Sequence, residues 1–165
     1  MIIWITGVAG AGKSTVMREI LKKNNIHNNL LILNKSSTLD NYRDSMNNFI
    51  SLIKENYEKY DYIIFEGLKW ESSRFVILNE FIKLKYIFKI FYLNVPREII
   101  YERIKKRGRP NEKKFSMEEI YKQFFKSEKY NNLLLKNFKE IEIRNNINHN
   151  DLKLITKEIY ELIRN

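Results

Sequence analysis

Eight residues near the amino terminus, Gly7-Val8-Ala9-Gly10-Ala11-Gly12-Lys13-Ser14, have the spacing G-x-x-x-x-G-K-[ST]. Residues of these types in this pattern bind phosphate. Glycines let successive backbone N–H groups turn inward around an anion, where side chains would block its approach. A helix beginning at about Lys13 points its positive end at the same anion. The Lys13 ammonium is then placed to bridge the β- and γ-phosphates of a nucleotide, and the Ser14 hydroxyl to ligate Mg²⁺. These residues and Thr15 form the candidate nucleotide cradle, with ATP or another NTP and Mg²⁺ as the expected cofactors.

Three further groups have residue types suited to phosphoryl transfer. Glu66 ends an apolar run, Tyr62-Ile-Ile-Phe-Glu66-Gly67. An acid leaving a core strand into the ligand crevice can hold the Mg²⁺ water shell or orient an acceptor. The competing reading is a loop-facing surface Glu. Asp40 and Arg43, in Asp40-Asn-Tyr-Arg43-Asp44-Ser45, lie one helical turn apart if Asp40 caps a helix. The carboxylate could accept the proton of an attacking hydroxyl and the Arg could hold an acceptor phosphate. The competing reading is a plain N-cap with a solvated Arg. Arg103 and Arg107 are spaced i, i+4 and so share a helix face, followed by Gly108-Arg109-Pro110. Cations aimed at a transferring phosphoryl group neutralise the charge that spreads over its oxygens. Arg103 and Arg107 are accordingly expected both to bind the donor and to take part in catalysis, with Lys13.

A nucleotide cradle is shared by kinases, GTPases and motor ATPases. GTPases need a base-reading N-K-x-D segment, and the sequence has none. Motor and AAA-type ATPases are usually larger than 165 residues. A short chain with a basic segment after its fourth strand has the outline of a small-substrate P-loop kinase.

The elements that must position these groups follow from hydrophobic periodicity. Short apolar runs at Ile2–Thr6, Leu30–Asn34, Tyr62–Phe65, Ile87–Leu93 and Lys139–Ile143 read as strands. Helical patterns lie between them: from Lys13 to about Lys23, Asp40 to about Tyr57, Arg74–Lys85, and from Pro96 to Gly108, with proline at the first helical position. Ser116-Met-Glu-Glu119 has capping-box spacing and opens a helix expected to reach about Lys136. The last helix, Asp151–Ile163, sets Leu152, Ile155, Ile159 and Ile163 on one face. Strands alternating with helices imply right-handed crossovers and a three-layer α/β domain around a parallel sheet. One domain over residues 1–165 is expected, with a basic lid over roughly 103–116.

Composition bounds the class. Hydrophobic residues at 44% and charged residues at 30% suit a soluble globular chain. No cysteine is present, which removes disulfides and thiolate metal sites and fits a cytoplasmic location. No apolar stretch is long enough to cross a bilayer, so no membrane partner is expected. The net charge is +10, and residues 101–130 carry ten Lys/Arg against five Asp/Glu. Half of the excess therefore falls in less than a fifth of the chain. Abundant Lys, Asn and Ile also follow from AT-rich coding, which accounts for part of the total but not for its focus. His27 and His149 sit in Asn-rich stretches and suggest no catalytic role.

With G-x-x-x-x-G-K-S at 7–14, D-x-Y-R-x-S at 40–45, and V-P followed by R-x-x-x-R-G at 95–108, the chain resembles the P-loop kinases that include bacteriophage-type polynucleotide 5′-hydroxyl kinases. The resemblance covers most of the chain. It implies that Asp40 is the general base for a 5′-hydroxyl, that Arg43 binds a phosphate of the acceptor strand, and that Arg107 contacts the donor phosphates. It also implies a five-stranded sheet in the order 2-3-1-4-5 of nucleotide kinases. The stretch Lys35–Leu39 before Asp40 is longer than the family pattern, and the phosphatase domain often fused in that family is not expected within these residues.

Three functions fit these residues. The first is transfer of the ATP γ-phosphate to a polynucleotide 5′-hydroxyl, the acceptor being a nucleic-acid end. The second is a nucleoside or (deoxy)nucleoside monophosphate kinase, which Glu66-Gly67 and the basic lid also suit. The third is a nucleotide-binding regulator with slow hydrolysis. Base preference and oligomeric state have no signature in the sequence.

Overall fold

Alternation along the first strand fixes the layering of the whole chain. The computed structural model describes residues 1–22, 29–33, 42–67, 71–108, 116–122, 132, 136 and 138–164. Strand β1 (Ile2–Thr6) is buried along its full length. Ile3 and Ile5 point to one face of the sheet, and Ile2 and Trp4 to the other, as the period of two requires. A strand buried on both faces reads as a near-continuous apolar run, and IIWI supplies one before the buried, hydrogen-bonded Thr6.

Four more strands join it: β2 (Leu30–Leu33), β3 (Tyr62–Glu66), β4 (Phe88–Asn94) and β5 (Ile141–Asn145). Every pairing is parallel, and the order is β2-β3-β1-β4-β5, as the family resemblance implies. The helices are α1 (Lys13–Leu21), α2 (Tyr42–Asn56), α3 (Glu71–Lys83), α4 (Arg97–Arg107) and α5 (His149–Arg164), with residues 117–122 also helical.

On the Ile3/Ile5 face, Val16, Met17 and Ile20 of α1 meet Ile100 and Ile104 of α4 and Ile155, Ile159 and Ile163 of α5. Ile120 joins the same cluster, so the short helix after the basic segment packs on this face of the sheet. On the opposite face, Ile50 and Ile53 of α2 and Ile77, Leu78 and Phe81 of α3 close over Ile2, Trp4 and Phe65. Trp4 stacks on Phe65 with ring centroids 5.4 Å apart. Each of these fully buried side chains contributes about 1.5–3 kcal/mol by removal from water. The result is the three-layer P-loop NTPase architecture.

Several boundaries differ from the sequence reading. Helix α3 runs three residues further at its start and ends two earlier. Its end is a Schellman turn: Tyr86 N–H donates to the Phe81 carbonyl and Lys85 N–H to the Ile82 carbonyl. Lys85 takes the left-handed conformation, φ 56°, that glycine normally supplies, which hides the stop signal from the sequence. At α4 the stop is visible, because Gly108 takes that conformation, φ 62°. Pro96 caps α4 rather than occupying its first position, and Arg97 begins the helix.

Strand β5 is displaced by two residues, with Lys139 and Glu140 in a turn. Its charged end is held by partners remote in sequence. Arg144 bonds Glu158 of α5 and Glu142 beside it, and Lys89 of β4 pairs with Glu142. The capping box at Ser116 forms as predicted, with Ser116 N–H donating to Glu119 Oε2 at 2.7 Å and Glu119 N–H to Ser116 Oγ at 3.1 Å. The expected continuation of that helix to Lys136 lies mostly outside the described residues.

Candidate active site

The parallel sheet brings the carboxyl ends of β1, β3, β4 and β5 to one rim, and the candidate residues gather there. Leaving β1 at Thr6, the chain turns through residues 7–12 into α1. The Ala11 N–H donates to the Val8 carbonyl at 3.2 Å, and the N–H groups of Thr15 and Val16 both donate to the Gly12 carbonyl, at 2.9 and 3.0 Å. Lys13 lies across the loop, its ammonium donating to the carbonyls of Gly7 at 3.0 Å and Val8 at 2.8 Å. The loop rests on α4, because a methyl group at Gly10 would meet Ile100 and Ile104 at 3.2 Å.

A Cβ at Gly7, φ 147°, would stand 2.9 Å from the Leu93 carbonyl oxygen, and Gly12 is a second position without room for a side chain. Its φ is 93°, and an added Cβ would fall inside contact distance of the Asn146 amide nitrogen.

Ser14 and Glu66 come together across the rim. Ser14 Oγ donates to Glu66 Oε1 at 2.6 Å. The register explains the approach. Ile5 pairs with Glu66, and Gly67 N–H donates to the Ile5 carbonyl at 3.1 Å, so the Glu66 side chain emerges beside the start of the loop. The Gly67 carbonyl accepts from Trp4 Nε1 at 3.2 Å and from Thr6 Oγ1 at 3.3 Å. Two buried side chains of β1 thus hold Gly67 in place after Glu66. A hydroxyl and a carboxylate at the mouth of the loop are hard oxygen donors of the kind Mg²⁺ takes alongside phosphate and water. The residues present therefore fit that ion.

Arg103 is half-buried on α4. Its Nη2 donates to the carbonyls of Asn146 at 2.8 Å and Ile147 at 2.9 Å, and burial lowers its pKa from the ordinary arginine value. Its guanidinium borders Gly12, with Nη1 3.9 Å from the position a Cβ there would take. Arg107 is exposed in the last turn of α4. At the base of the basic segment the Arg97 guanidinium lies 4.7 Å from the centre of the Tyr121 ring. Arg109 and the rest of 109–115, the middle of the expected lid, lie outside the described residues. So does Asp40. Arg43 falls in the first turn of α2, and its side chain is outside the description.

The sequence reading passed over Asn146, which lies just past β5 and is buried. The signal available was position alone: a polar residue at the carboxyl end of a strand lies on the ligand rim of a parallel sheet. Trp4 and Thr6, read only as strand residues, carry the Gly67 contacts.

The family described as an AAA domain matches residues 3–126, about three quarters of the chain. The chain belongs to that family, and it is a P-loop kinase. The expectation from length alone, which set AAA-type proteins aside, is overtaken by this match. A curated relative, the adenylate kinase isoenzyme 6 homolog of Plasmodium falciparum (isolate 3D7), is 30% identical over 177 residues, spanning 92% of this chain and 87% of that protein. Among solved structures, deoxyadenosine kinase from M. mycoides with bound dATP superposes with a TM-score of 0.65 at 22% identity, over 96% of this chain and 99% of that one. Shikimate kinase from Bacteroides thetaiotaomicron gives 0.62 at 16%, over 100% and 99%. At these identities the two structures establish the shared kinase fold. The relative at 30% identity is named for a nucleotide kinase, whereas the motifs read from the sequence resembled polynucleotide kinases. No helix among the described residues is long and apolar enough to cross a membrane.

Proposed function

We propose that this P-loop kinase transfers the γ-phosphoryl group of ATP to a nucleoside monophosphate or a nucleoside. The observation that carries the donor side is the Ser14–Glu66 contact at the mouth of the loop that holds Lys13. The acceptor class is supported by the relative named an adenylate kinase isoenzyme 6 homolog. In this reading, backbone N–H groups of residues 7–12 and the start of α1 hold the donor phosphates. Lys13 swings from the Gly7 and Val8 carbonyls to the β- and γ-phosphates, and Arg107 and Arg103 offset charge on the transferring group. Ser14 and Glu66 would hold Mg²⁺, which supplies charge neutralisation on the β- and γ-oxygens when bound.

A second reading, transfer to a polynucleotide 5′-hydroxyl, is favoured by the five excess positive charges in residues 101–130 and by Asp40-x-Tyr-Arg43. A monophosphate acceptor differs from a hydroxyl acceptor, whether of a nucleoside or of a polynucleotide end, in its need for a base. A phosphate monoester has a second pKa of about 6, so its oxygen is already an anionic nucleophile at neutral pH. A hydroxyl needs a carboxylate such as Asp40 to take its proton.

Label transfer from γ-labelled ATP to nucleoside monophosphates, nucleosides, and 5′-hydroxyl DNA and RNA oligomers tests both. Label on monophosphates, with Asp40→Asn nearly as active as the parent, is the expected result. Label confined to oligomers, lost in Asp40→Asn and falling steeply with salt, would replace it with the polynucleotide reading.

A further inference from the structure

The loop that binds phosphate near the start of the chain is held by a residue near its end. Asn146 is 4% exposed, and its side-chain amide, backbone N–H and backbone carbonyl each reach a different element. Its side-chain Nδ2 donates to the Ala11 carbonyl at 2.7 Å, its backbone N–H donates to the Asn94 carbonyl at the end of β4 at 3.0 Å, and its own carbonyl accepts from Arg103 of α4 at 2.8 Å. The same Nδ2 fills the space where a side chain at Gly12 would stand.

We infer that Asn146 is a positioning residue for the donor phosphates, fixing the Ala11–Gly12 peptide of the loop and joining it to Arg103. The Ala11 carbonyl and the Gly12 N–H belong to one planar peptide unit. Holding the oxygen outward, toward Asn146, turns the N–H of the next residue to the opposite side, into the cradle where an anion is bound. Peptide orientation is what such a loop contributes, because its donors are backbone groups. Without the amide donor, the buried Ala11 carbonyl loses its side-chain partner and the peptide is free to rotate, with its N–H leaving the cradle. Arg103, bonded to the Asn146 carbonyl, rides on the same joint, so Asn146 adds a polar link between the loop and α4 beside their packing at Gly10.

Calorimetric titration with Mg·ADP tests this without any acceptor, on the full chain, and reports affinity and active fraction separately. For Asn146→Ala and for Asn146→Asp, which keeps the shape but loses the donor, Kd is expected to rise about tenfold or more with stoichiometry unchanged, the equivalent of one hydrogen bond. A residue that only supports folding would instead lower the stoichiometry and leave Kd as in the parent, and that result would overturn the inference. Should neither variant fold, the parent protein decides. The Asn146 side-chain amide signals in an ¹⁵N spectrum should shift on adding Mg·ADP and their hydrogens exchange slowly. Rapid exchange with no response to Mg·ADP would sink it.

Discussion

Ser14 and Glu66, fifty-two positions apart, meet through a 2.6 Å hydrogen bond that joins the first turn of α1 to the last residue of β3. The contact brings together a hydroxyl and a carboxylate that the sequence offers separately as metal-holding groups. It depends on the β1–β3 register, since a slip of one residue would turn Glu66 to the other face of the sheet. If both oxygens serve the same Mg²⁺, Ser14→Ala and Glu66→Gln should each raise the Mg²⁺ concentration for half-maximal turnover about tenfold, the worth of one charge-assisted ligand. The double variant should cost less than the sum of the two. Turnover titrated against Mg²⁺ at saturating ATP measures this.

Lys13 is the cation closest to the donor phosphates in the proposed mechanism. Lys13→Ala should lower turnover with every acceptor by about 10³-fold or more, the scale of a lost transition-state cation. The melting temperature should change less than turnover does, since the Gly7 and Val8 carbonyls that accept from the ammonium belong to the loop itself. Near-parental turnover in this variant would refute the assignment of residues 7–14 as the donor site.

A different kind of change is expected at Lys85. An L-residue at φ 56° bears the strain that glycine escapes, and the turn's two hydrogen bonds do not use the lysine side chain. Lys85→Gly should stabilise the protein by about 1 kcal/mol, raising the melting temperature by about 2–4 °C for a chain of this size. A drop instead would mean that the added freedom of the unfolded chain outweighs the relieved strain.

Acid should weaken the β5–α5 junction. The hydrogen bond from Arg144 is the main cause holding the Glu158 carboxyl below its usual 4.5. Its folded value lies below its unfolded value, so the pair's contribution is fully present above 4.5. It is lost as pH falls through the folded value. Glu158→Gln should cost about 1 kcal/mol near neutrality, since both side chains are about a third exposed, and its deficit should shrink in acid. Thermal melts of parent and variant across the acid range would reveal the convergence.

What could be read from the sequence was whatever rests on local signals. The loop at 7–14 announces itself by glycine spacing, β1 by an unbroken apolar run, the end of α4 by Gly108, and the Ser116 box by its spacing. From these and the motif likeness came the strand order and Glu66 as a rim acid. The parts that stayed hidden depend on contacts between distant positions. Strand β5 carries Arg144 and Asn145, residues that look like a turn until Glu158, Glu142 and the β4 edge are in place. Asn146 is one of several asparagines in an Asn-rich stretch, and only folding separates it from its neighbours by burying it against Ala11. Local chemistry marks the donor loop; it does not mark what braces it.

That brace has a consequence for how the protein comes into being. Asn146 is 135 positions after Ala11 in the chain. At translation rates of roughly 5–20 residues per second, the nascent polypeptide carries its phosphate loop for about 7–27 seconds before the residue that clasps it has been made. During that interval β1 also lacks β4, its neighbour on one side, until residues 88–94 appear. An anion-binding segment without its clasp is a poor nucleotide trap, so ATP in the cell should engage the kinase only after Asn146 has been made and folded into place.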